Sequence, residues 1–536
     1  MREVRGLLVV AAVLLTAWSF VVPIFEGPDE FLHWQYARHL HDRWRLPVYG
    51  PEFAEGNSPP LYYAAIAPVA TRTVTPPPAV WLDGRGLFAM PFLPRFFLGA
   101  ADDWQRYWPI RNARLVTVLM SLATVIICAR IGLEATDRAS TALFTAAIVA
   151  FLPQFTFRGS QVSNDALVAT MGACAVWGMV RIVMRGFSWR RGVLTAIALA
   201  AAWLTKINAL CLLPAFALVI LTEPVPWRKR LVYLSVLAVT LALVAPWSIR
   251  NVMLYGDPFA VGVMPSAVPL LIVERAFVSD YWVTRFPREV FKTFVGYFGH
   301  ATVKLPRLVY VAWLAFFAIA AVGLIRRNAT SPALSKRLAL ILLTAIAGAC
   351  VILVRINMQF DQPQGRYLFP VLPAVALLIA IGLESWRVPA RTTALALAGV
   401  NALILMFVVV PAYPPNVRTV SKALADVQAH QAGDDWIADV RVAADNARFV
   451  IFDLEAPALP GPSQEVQGAV VVTIDDREIT LPFSWRDDGQ RRTIYLTLLP
   501  HAPPGAVAVT GIRIRPGGNG AIRQLRFAGS IPSHDF

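Results

Sequence analysis

The sequence predicts a helical protein that crosses a membrane many times and carries a β-rich tail outside it. Three observations carry that prediction. The 536 residues are 57% hydrophobic and only 15% charged. Apolar runs of about 16–20 residues, long enough to span hydrocarbon, recur along the chain. After residue 411 the hydrophobicity alternates at period two instead. A soluble globular chain carries about a quarter charged residues, so a soluble enzyme is excluded. The 16 Trp and 30 Phe exclude a disordered or collagenous chain, and the 40 Pro require non-helical loops outside the lipid.

Candidate spans lie near 7–25, 112–129, 140–157, 164–183, 192–205, 208–222, 231–249, 306–325, 338–356, 367–384 and 392–411. The segment 192–222 reads as one long helix or as two short ones broken at Thr205-Lys206-Ile207-Asn208. Basic clusters flank it on both sides (185–191 and 227–230), and the positive-inside rule puts both in the cytoplasm. An even number of crossings follows, giving about eleven spans in all. The N-terminus is then cytoplasmic, and the first run reads as a retained span because no A-x-A-like cleavage site follows it.

Charge supports this layout. The tail holds 12 Lys+Arg and 14 Asp+Glu, whereas the first 411 residues hold 37 and 20. The basic excess lies in short segments between apolar runs, which points to membrane orientation and away from nucleic acid. Cys128, Cys174, Cys211 and Cys350 all fall inside apolar runs, so neither a disulfide framework nor a CxxC metal pair is present.

Two domains follow: a membrane domain over 1–411 with large outer loops at 26–111 and 250–305, and an extracytoplasmic domain over 412–536. The tail shows strand signals at 448–455, 469–476, 478–485, 492–499, 507–515 and 522–529, separated by turn residues. That pattern suggests a β-sandwich or jelly roll, either a structural cap or a carbohydrate-binding module.

Polar residues concentrate on the outer side. Pro28 suits a first helical position, and Asp29 and Glu30 then sit in a first turn where the helix dipole favours anions. His33, four residues from Asp29 and three from Glu30, shares their face. A carboxylate beside an imidazole suits a general base or a metal ligand. Asn57-Ser58-Pro59-Pro60-Leu61-Tyr62-Tyr63 offers aromatics for the interface or a sugar ring. Asn164 and Asp165 open the fourth span, where helix capping is the competing reading. Lys206, Arg250 and Arg366 are cations on the side that the positive-inside rule leaves poor in them. Snorkelling explains any one of them. Three at the depth of the acids suggest an anionic headgroup, most naturally a lipid phosphate.

The ordered set Pro28-Asp29-Glu30-x-x-His33, Pro59-Pro60-Leu61-Tyr62-Tyr63, Ser163-Asn164-Asp165, Leu204-Thr205-Lys206, Arg250-Asn251-x-x-x-Tyr255-Gly256-Asp257-Pro258 and Gln364-Gly365-Arg366-Tyr367-x-Phe369-Pro370 resembles a bacterial family of multi-pass proteins. That family looks like part of the GT-C glycosyltransferase superfamily, with protein O-mannosyltransferases, the aminoarabinose lipid A transferase and mycobacterial arabinofuranosyltransferases. The resemblance covers roughly residues 5–411. It implies a bacterial cytoplasmic-membrane enzyme that transfers a sugar from a polyprenyl-phosphate donor to a glycan or lipid acceptor, by a single inverting displacement on the outer face. Carried over by position, Asp29 is the base, with Glu30 as neighbour or substitute. His33, Tyr62, Tyr63, Asn164, Asp165, Lys206, Arg250, Gln364, Arg366 and Tyr367 are the substrate-binding candidates. Some superfamily members use a divalent cation (Mg, Mn or Ca), for which Asp29, Glu30 and Asp165 are the candidate ligands.

Three other readings stay open. A flippase or transporter of lipid-linked saccharides would carry midplane charges and internal repeats, and neither is evident here. A polymerase or ligase of such saccharides would also use outer-face Arg and His. A cell-envelope scaffold would tolerate loss of charge at Asp29 and Arg366.

Overall fold

The computed structural model describes residues 2–50, 53, 55–71, 80–81, 94–95, 104–263, 273, 275–299, 303–326 and 334–412. In the tail it describes 423–443, 449–455, 464–474, 477–487, 492–497, 508–516 and 520–528. The membrane domain is built from helices α1 (Arg2–Val21), α2 (Glu30–Arg43), α3 (Leu61–Ile66), α4 (Trp104–Thr136), α5 (Ala139–Phe151), α6 (Pro153–Gly159), α7 (Asn164–Arg185), α8 (Trp189–Trp203), α9 (Leu212–Leu221), α10 (Trp227–Leu234), α11 (Leu237–Tyr255), α12 (Arg285–Val295), α13 (Arg307–Arg326), α14 (Lys336–Gln359), α15 (Leu372–Glu384) and α16 (Ala390–Ile404).

Among the described residues, eight helical segments are long and apolar enough to cross a membrane, and the bent pair α5–α6 makes a ninth. The two remaining expected spans are helical but short. Helix α8 has 15 residues, and the 207–221 segment opens as a 3₁₀ turn at Ile207–Cys211 before the 10 residues of α9. At 1.5 Å per residue neither reaches the ~30 Å of hydrocarbon. They form a hairpin whose break carries Lys206.

The bend of α5–α6 has a sequence cause. Pro153 has no N–H to donate into the preceding turn, and the axis turns by 64° there. The carbonyls freed by the bend are taken up inside the protein. Thr156 Oγ1 donates to Ala150 O at 3.1 Å, and Asn401 Nδ2 donates to Phe151 O at 3.3 Å and to Thr156 Oγ1 at 2.9 Å. Trp18 Nε1 in turn donates to Asn401 Oδ1 at 3.0 Å, so α1, α5 and α16 are joined through one buried amide. Lipid offers no water for such groups, so internal partners are obligatory. The bend delivers Arg158, near the end of α6, to the site.

Two glycines set the 3₁₀ turn Gly365–Val371 in place. A Cβ on Gly172 of α7 would meet Pro370 O at 2.4 Å, and a Cβ on Gly365 would meet the Phe294 backbone of α12 at 2.5 Å. Thr293 Oγ1 completes that contact by accepting from Gly365 N at 2.8 Å. Arg366 follows directly and is thereby fixed between α7 and α12.

The tail forms two sheets. Strands β1 (Val80–Trp81), β2 (Pro94–Arg95), β5 (Ala423–Val427), β8 (Phe449–Glu455), β11 (Arg492–Thr497) and β13 (Ala521–Ala528) make one, ordered β2-β1-β11-β8-β13-β5. Strands β6 (His430–Ala432), β7 (Asp435–Ala443), β9 (Gln464–Ile474), β10 (Arg477–Asp487) and β12 (Ala508–Arg515) make the other, ordered β10-β9-β12-β7-β6. Alternate residues are buried, Val450, Phe452 and Leu454 on β8 and Val470, Val472 and Ile474 on β9, so these strands turn one face inward. All six expected strands are present. Three more precede them, and β1 and β2 come from the segment between α3 and α4, Val80 pairing parallel with Tyr495. A short hairpin, β3 (Tyr297–Phe298) with β4 (Val303–Lys304), links α12 to α13.

Candidate active site

Asp29 caps α2 from an unusual backbone position. Its φ is 64° and its side chain makes no capping bond. A non-glycine residue seldom adopts this left-handed conformation, and the helix begins at Glu30 rather than at Pro28 as the sequence suggests. The consequence is chemical, because the carboxylate is released from helix capping and 41% of its side chain stays accessible. Arg366 Nη2 donates to Asp29 Oδ2 at 3.1 Å. Through Nη1 the same guanidinium reaches Asp165 Oδ2 at 3.5 Å.

Asp165 is the hub of the cluster. Arg158 Nε donates to its Oδ2 at 2.8 Å, and Lys206 Nζ donates to its Oδ1. The capping reading for Asp165 fails because Ser163 is the cap, its hydroxyl accepting from Asp165 N at 3.2 Å. Three cations around two carboxylates leave an excess of positive charge. The same neighbourhood holds buried polar atoms with no hydrogen-bond partner among the described residues: Gln161 Oε1, Asn164 Oδ1 and Asn208 Oδ1. Native interiors rarely strand such groups, and a bound polar ligand would satisfy them. Gln364 Oε1 steadies Arg366 by accepting from its Nε, and Lys206 lies over the Tyr367 ring at 5.5 Å.

Glu30 is not beside Asp29 in function. Arg114 forks onto it with two bonds of 2.7 Å, while Phe25 N and Val162 N donate to it at 2.7 and 2.9 Å. Arg114 also donates to the carbonyls of Ser19, Val22 and Pro23, each at 2.7 Å. Both side chains are fully buried. Glu30, a candidate base and metal ligand from the sequence, therefore ties α1, α2 and α4 together with both oxygens already engaged. Asp165 is likewise committed to its cations.

The carboxylate that does approach Asp29 is Glu55, from the loop between α2 and α3. One ligand atom each from Asp29, His33 and Glu55 lie within 4.8 Å of one another. His33 Nδ1 lies 2.9 Å from Tyr63 Oη, which donates to Glu55 Oε2 at 3.5 Å. Ser58 Oγ also donates to Glu55 Oε2. Burial works to raise the pKa of Asp29, but Arg366, with help from His33 and Arg158, overrides it and holds it at about 2. Burial holds His33 down at about 3, so its ring is neutral. Burial and the Asp29 charge push Glu55 up to about 7. A neutral imidazole with two carboxylates is a donor set that fits a divalent cation, and its nitrogen suits Zn better than Ca or Mg.

Tyr62 and Tyr63 are fully buried wall residues and not open sugar platforms. Tyr62 Oη lies 2.9 Å from Thr117 Oγ1, and the Tyr63 ring stacks on Tyr36 at 3.7 Å. Arg250 stands outside the ion cluster. It donates to Pro47 O at 2.7 Å and lies over Trp247, with Nη1 buried and without a partner among the described residues. Tyr255 Oη accepts from Tyr49 N at 2.9 Å, and Asn57 Nδ2 donates to Ala260 O at 3.0 Å. The Arg250-to-Pro258 motif thus clasps the loop that carries Glu55.

Fold and site together define a polytopic membrane protein with an ionised cluster gathered at one end of its helices. Residues 107–249 match the family model described as dolichyl-phosphate-mannose-protein mannosyltransferase. The structure is similar to ArnT from Cupriavidus metallidurans bound to undecaprenyl phosphate, at 16% identity and a TM-score of 0.45, covering 74% of this chain and 64% of that one. It is also similar to the Archaeoglobus fulgidus oligosaccharyltransferase in complex with Zn and sulfate, at 13% identity and a TM-score of 0.42, covering 76% and 52%. The chain thus spans about two thirds of ArnT and about half of the oligosaccharyltransferase. No curated protein matches the sequence.

Proposed function

We propose that this protein is a GT-C-type glycosyltransferase of the bacterial cytoplasmic membrane, moving a sugar from a polyprenyl-phosphate donor to a glycan or lipid hydroxyl on the outer side. The observation that carries the reading is Arg366 shared between the accessible Asp29 and the buried Asp165, with Lys206 and Arg158 alongside. The match of 107–249 to a family described as using a lipid-phosphate-linked mannose supports it.

In this reading the donor phosphate is drawn to Arg366 and Lys206. Both cations stabilise the charge that grows on phosphate as the anomeric C–O bond breaks. An arriving phosphate also competes with Asp29 for Arg366. Asp29 then loses the contact that keeps its pKa near 2 and becomes a stronger base. The acceptor hydroxyl attacks the anomeric carbon from the opposite side, its proton passes to Asp29, and the phosphate departs with the bonding electrons. One displacement inverts the anomeric centre, and no carboxylate nucleophile is needed.

Asp29, His33 and Glu55 would hold a divalent cation. When bound there, such a cation would supply Lewis-acid stabilisation of developing negative charge. Tyr63 orients His33 and Glu55, and Asp165 holds Lys206 and Arg158 in position for the phosphate.

Proteoliposomes supplied with a panel of polyprenyl-phosphate sugars test the proposal. We expect one donor to be consumed, and Arg366→Gln and Lys206→Gln to slow that consumption by about 10²–10³. Consumption of no donor, or unchanged rates in both variants, would overturn it.

A further inference from the structure

A basic cavity lies apart from the ion cluster, between α12, the β3–β4 hairpin and the start of α13. Its volume is ≈ 660 Å³. Arg285, Arg288, Lys292, Lys304 and Arg307 line it, and Glu289 is the one carboxylate among the lining residues. Glu289 is already engaged, accepting from Arg288 at 2.8 Å and from Lys292 at 3.3 Å. Arg285 is partly committed to Asp361 at 3.0 Å. Among the described residues no carboxylate pairs with Lys304 or Arg307, so the cavity keeps unneutralised positive charge.

The wall is built, not incidental. Tyr310 Oη of α13 donates to Gly296 O at 2.7 Å and accepts from Leu305 N at 3.3 Å, locking the hairpin to the helix. Tyr297 stands beneath Lys304, whose Nζ is 5.8 Å from the ring. The other side of the cavity is apolar. Val311 and Leu314 line it and are 52% and 56% exposed on a helix long and apolar enough to span. A charged cup therefore opens onto a lipid-facing stripe.

An independent observation puts this corner at a bilayer surface. Just before α12, Phe277, Val278 and Val283 are 74%, 91% and 78% exposed, beside Trp282. Bulky apolar side chains at that exposure, with Trp and Tyr among them, suit a loop dipping into lipid. Helix α12 is amphipathic in the same sense, with Phe294 turned toward the protein core and Arg285, Arg288 and Lys292 on the opposite, cavity side.

We propose that this cavity binds the phosphate headgroup of an anionic lipid, with Lys304 and Arg307 as its principal ligands and the lipid tail lying along Val311 and Leu314. The cavity backs onto α12, whose Thr293 and Phe294 buttress Gly365 beside Arg366. An occupied cavity thus braces the helix that fixes the candidate catalytic arginine. The binding claim needs no turnover and stands whether or not the transferase reading does.

Native mass spectrometry of the full chain in detergent tests it, with phosphatidylglycerol, a polyprenyl phosphate, phosphatidylcholine and inorganic phosphate as probes. We expect at least one of the two anionic lipids to bind about fivefold or more tighter than phosphatidylcholine. The tighter of the two identifies the source of the headgroup. The double variant Lys304→Gln/Arg307→Gln should remove one bound anionic lipid per chain, leaving only a polyprenyl phosphate held at Arg366 and Lys206, while Lys304→Arg/Arg307→Lys keeps it. Both positions are exposed, so melting temperatures should match the wild type. An unchanged number of bound anionic lipids in the Gln variant would overturn the proposal, as would displacement by inorganic phosphate as effective as by lipid.

Discussion

Arg366 holds two carboxylates of unequal freedom, an accessible Asp29 and a buried Asp165, and this asymmetry gives each residue a separable prediction. Asp29→Asn should leave the melting temperature near wild type, because the Asp29 side chain caps nothing and asparagine tolerates the left-handed backbone there. Glu30→Gln should destabilise the protein by about 3–5 kcal/mol, the cost of breaking a buried pair, since it leaves Arg114 uncompensated. Thermal unfolding in detergent separates the two. Glu55 adds a pH signature. Its folded pKa is raised from 4.5 to about 7, so the folded state binds the extra proton. Its contribution is fully present below pH 4.5 and is lost as pH rises through 7. The stability of the wild type relative to Glu55→Gln should therefore fall as pH rises over that window. His33, lowered from 6.5 to about 3, acts in the opposite sense, but it is common to both proteins and cancels. A difference that is flat or grows with pH would show that Glu55 is ionised in the fold.

Elements bring these residues together, and their packing explains what was legible in the chain. Asp29, Asp165, Lys206 and Arg366 could be grouped from the sequence because span counting puts all four on one side. Glu55 could not, since it and Glu52 sit in a Gly- and Pro-rich loop with no periodicity to mark either acid. Arg114 did carry a signal, a charge inside an apolar run, but its partner Glu30 looked like half of a catalytic pair. The aromatic pair Tyr62-Tyr63 gave no hint that both rings would be sealed in the wall. The close approach of Gly365 to Phe294 gives a prediction at this scale. Gly365→Ala needs the α12 backbone to move, so it should shift Arg366 and lower donor turnover as well as the melting temperature. A variant with unchanged turnover would mean that the turn tolerates displacement.

At the scale of the whole molecule, the helical membrane domain and the β-rich tail were both readable from hydrophobic period. The sharing of strands between them was not, because β1 and β2 are two-residue segments within the long stretch between α3 and α4. The short hairpin of α8 and 207–221 was readable only as an even number of passes. Orientation is tested by introduced cysteines in a Cys350→Ser background. Trp44→Cys, at a site 89% exposed, should react with an impermeant maleimide in intact cells, and Arg190→Cys only after permeabilisation. The reverse pattern would invert the topology and remove the outer-face donor from the account.

The most direct test of the central claim is the rate at which proteoliposomes release polyprenyl phosphate from a lipid-linked sugar, wild type against Asp29→Asn. The account predicts a fall of about 10²–10⁴, the usual contribution of a general base, with donor binding retained through Arg366 and Lys206. Equal rates in the two proteins would contradict it.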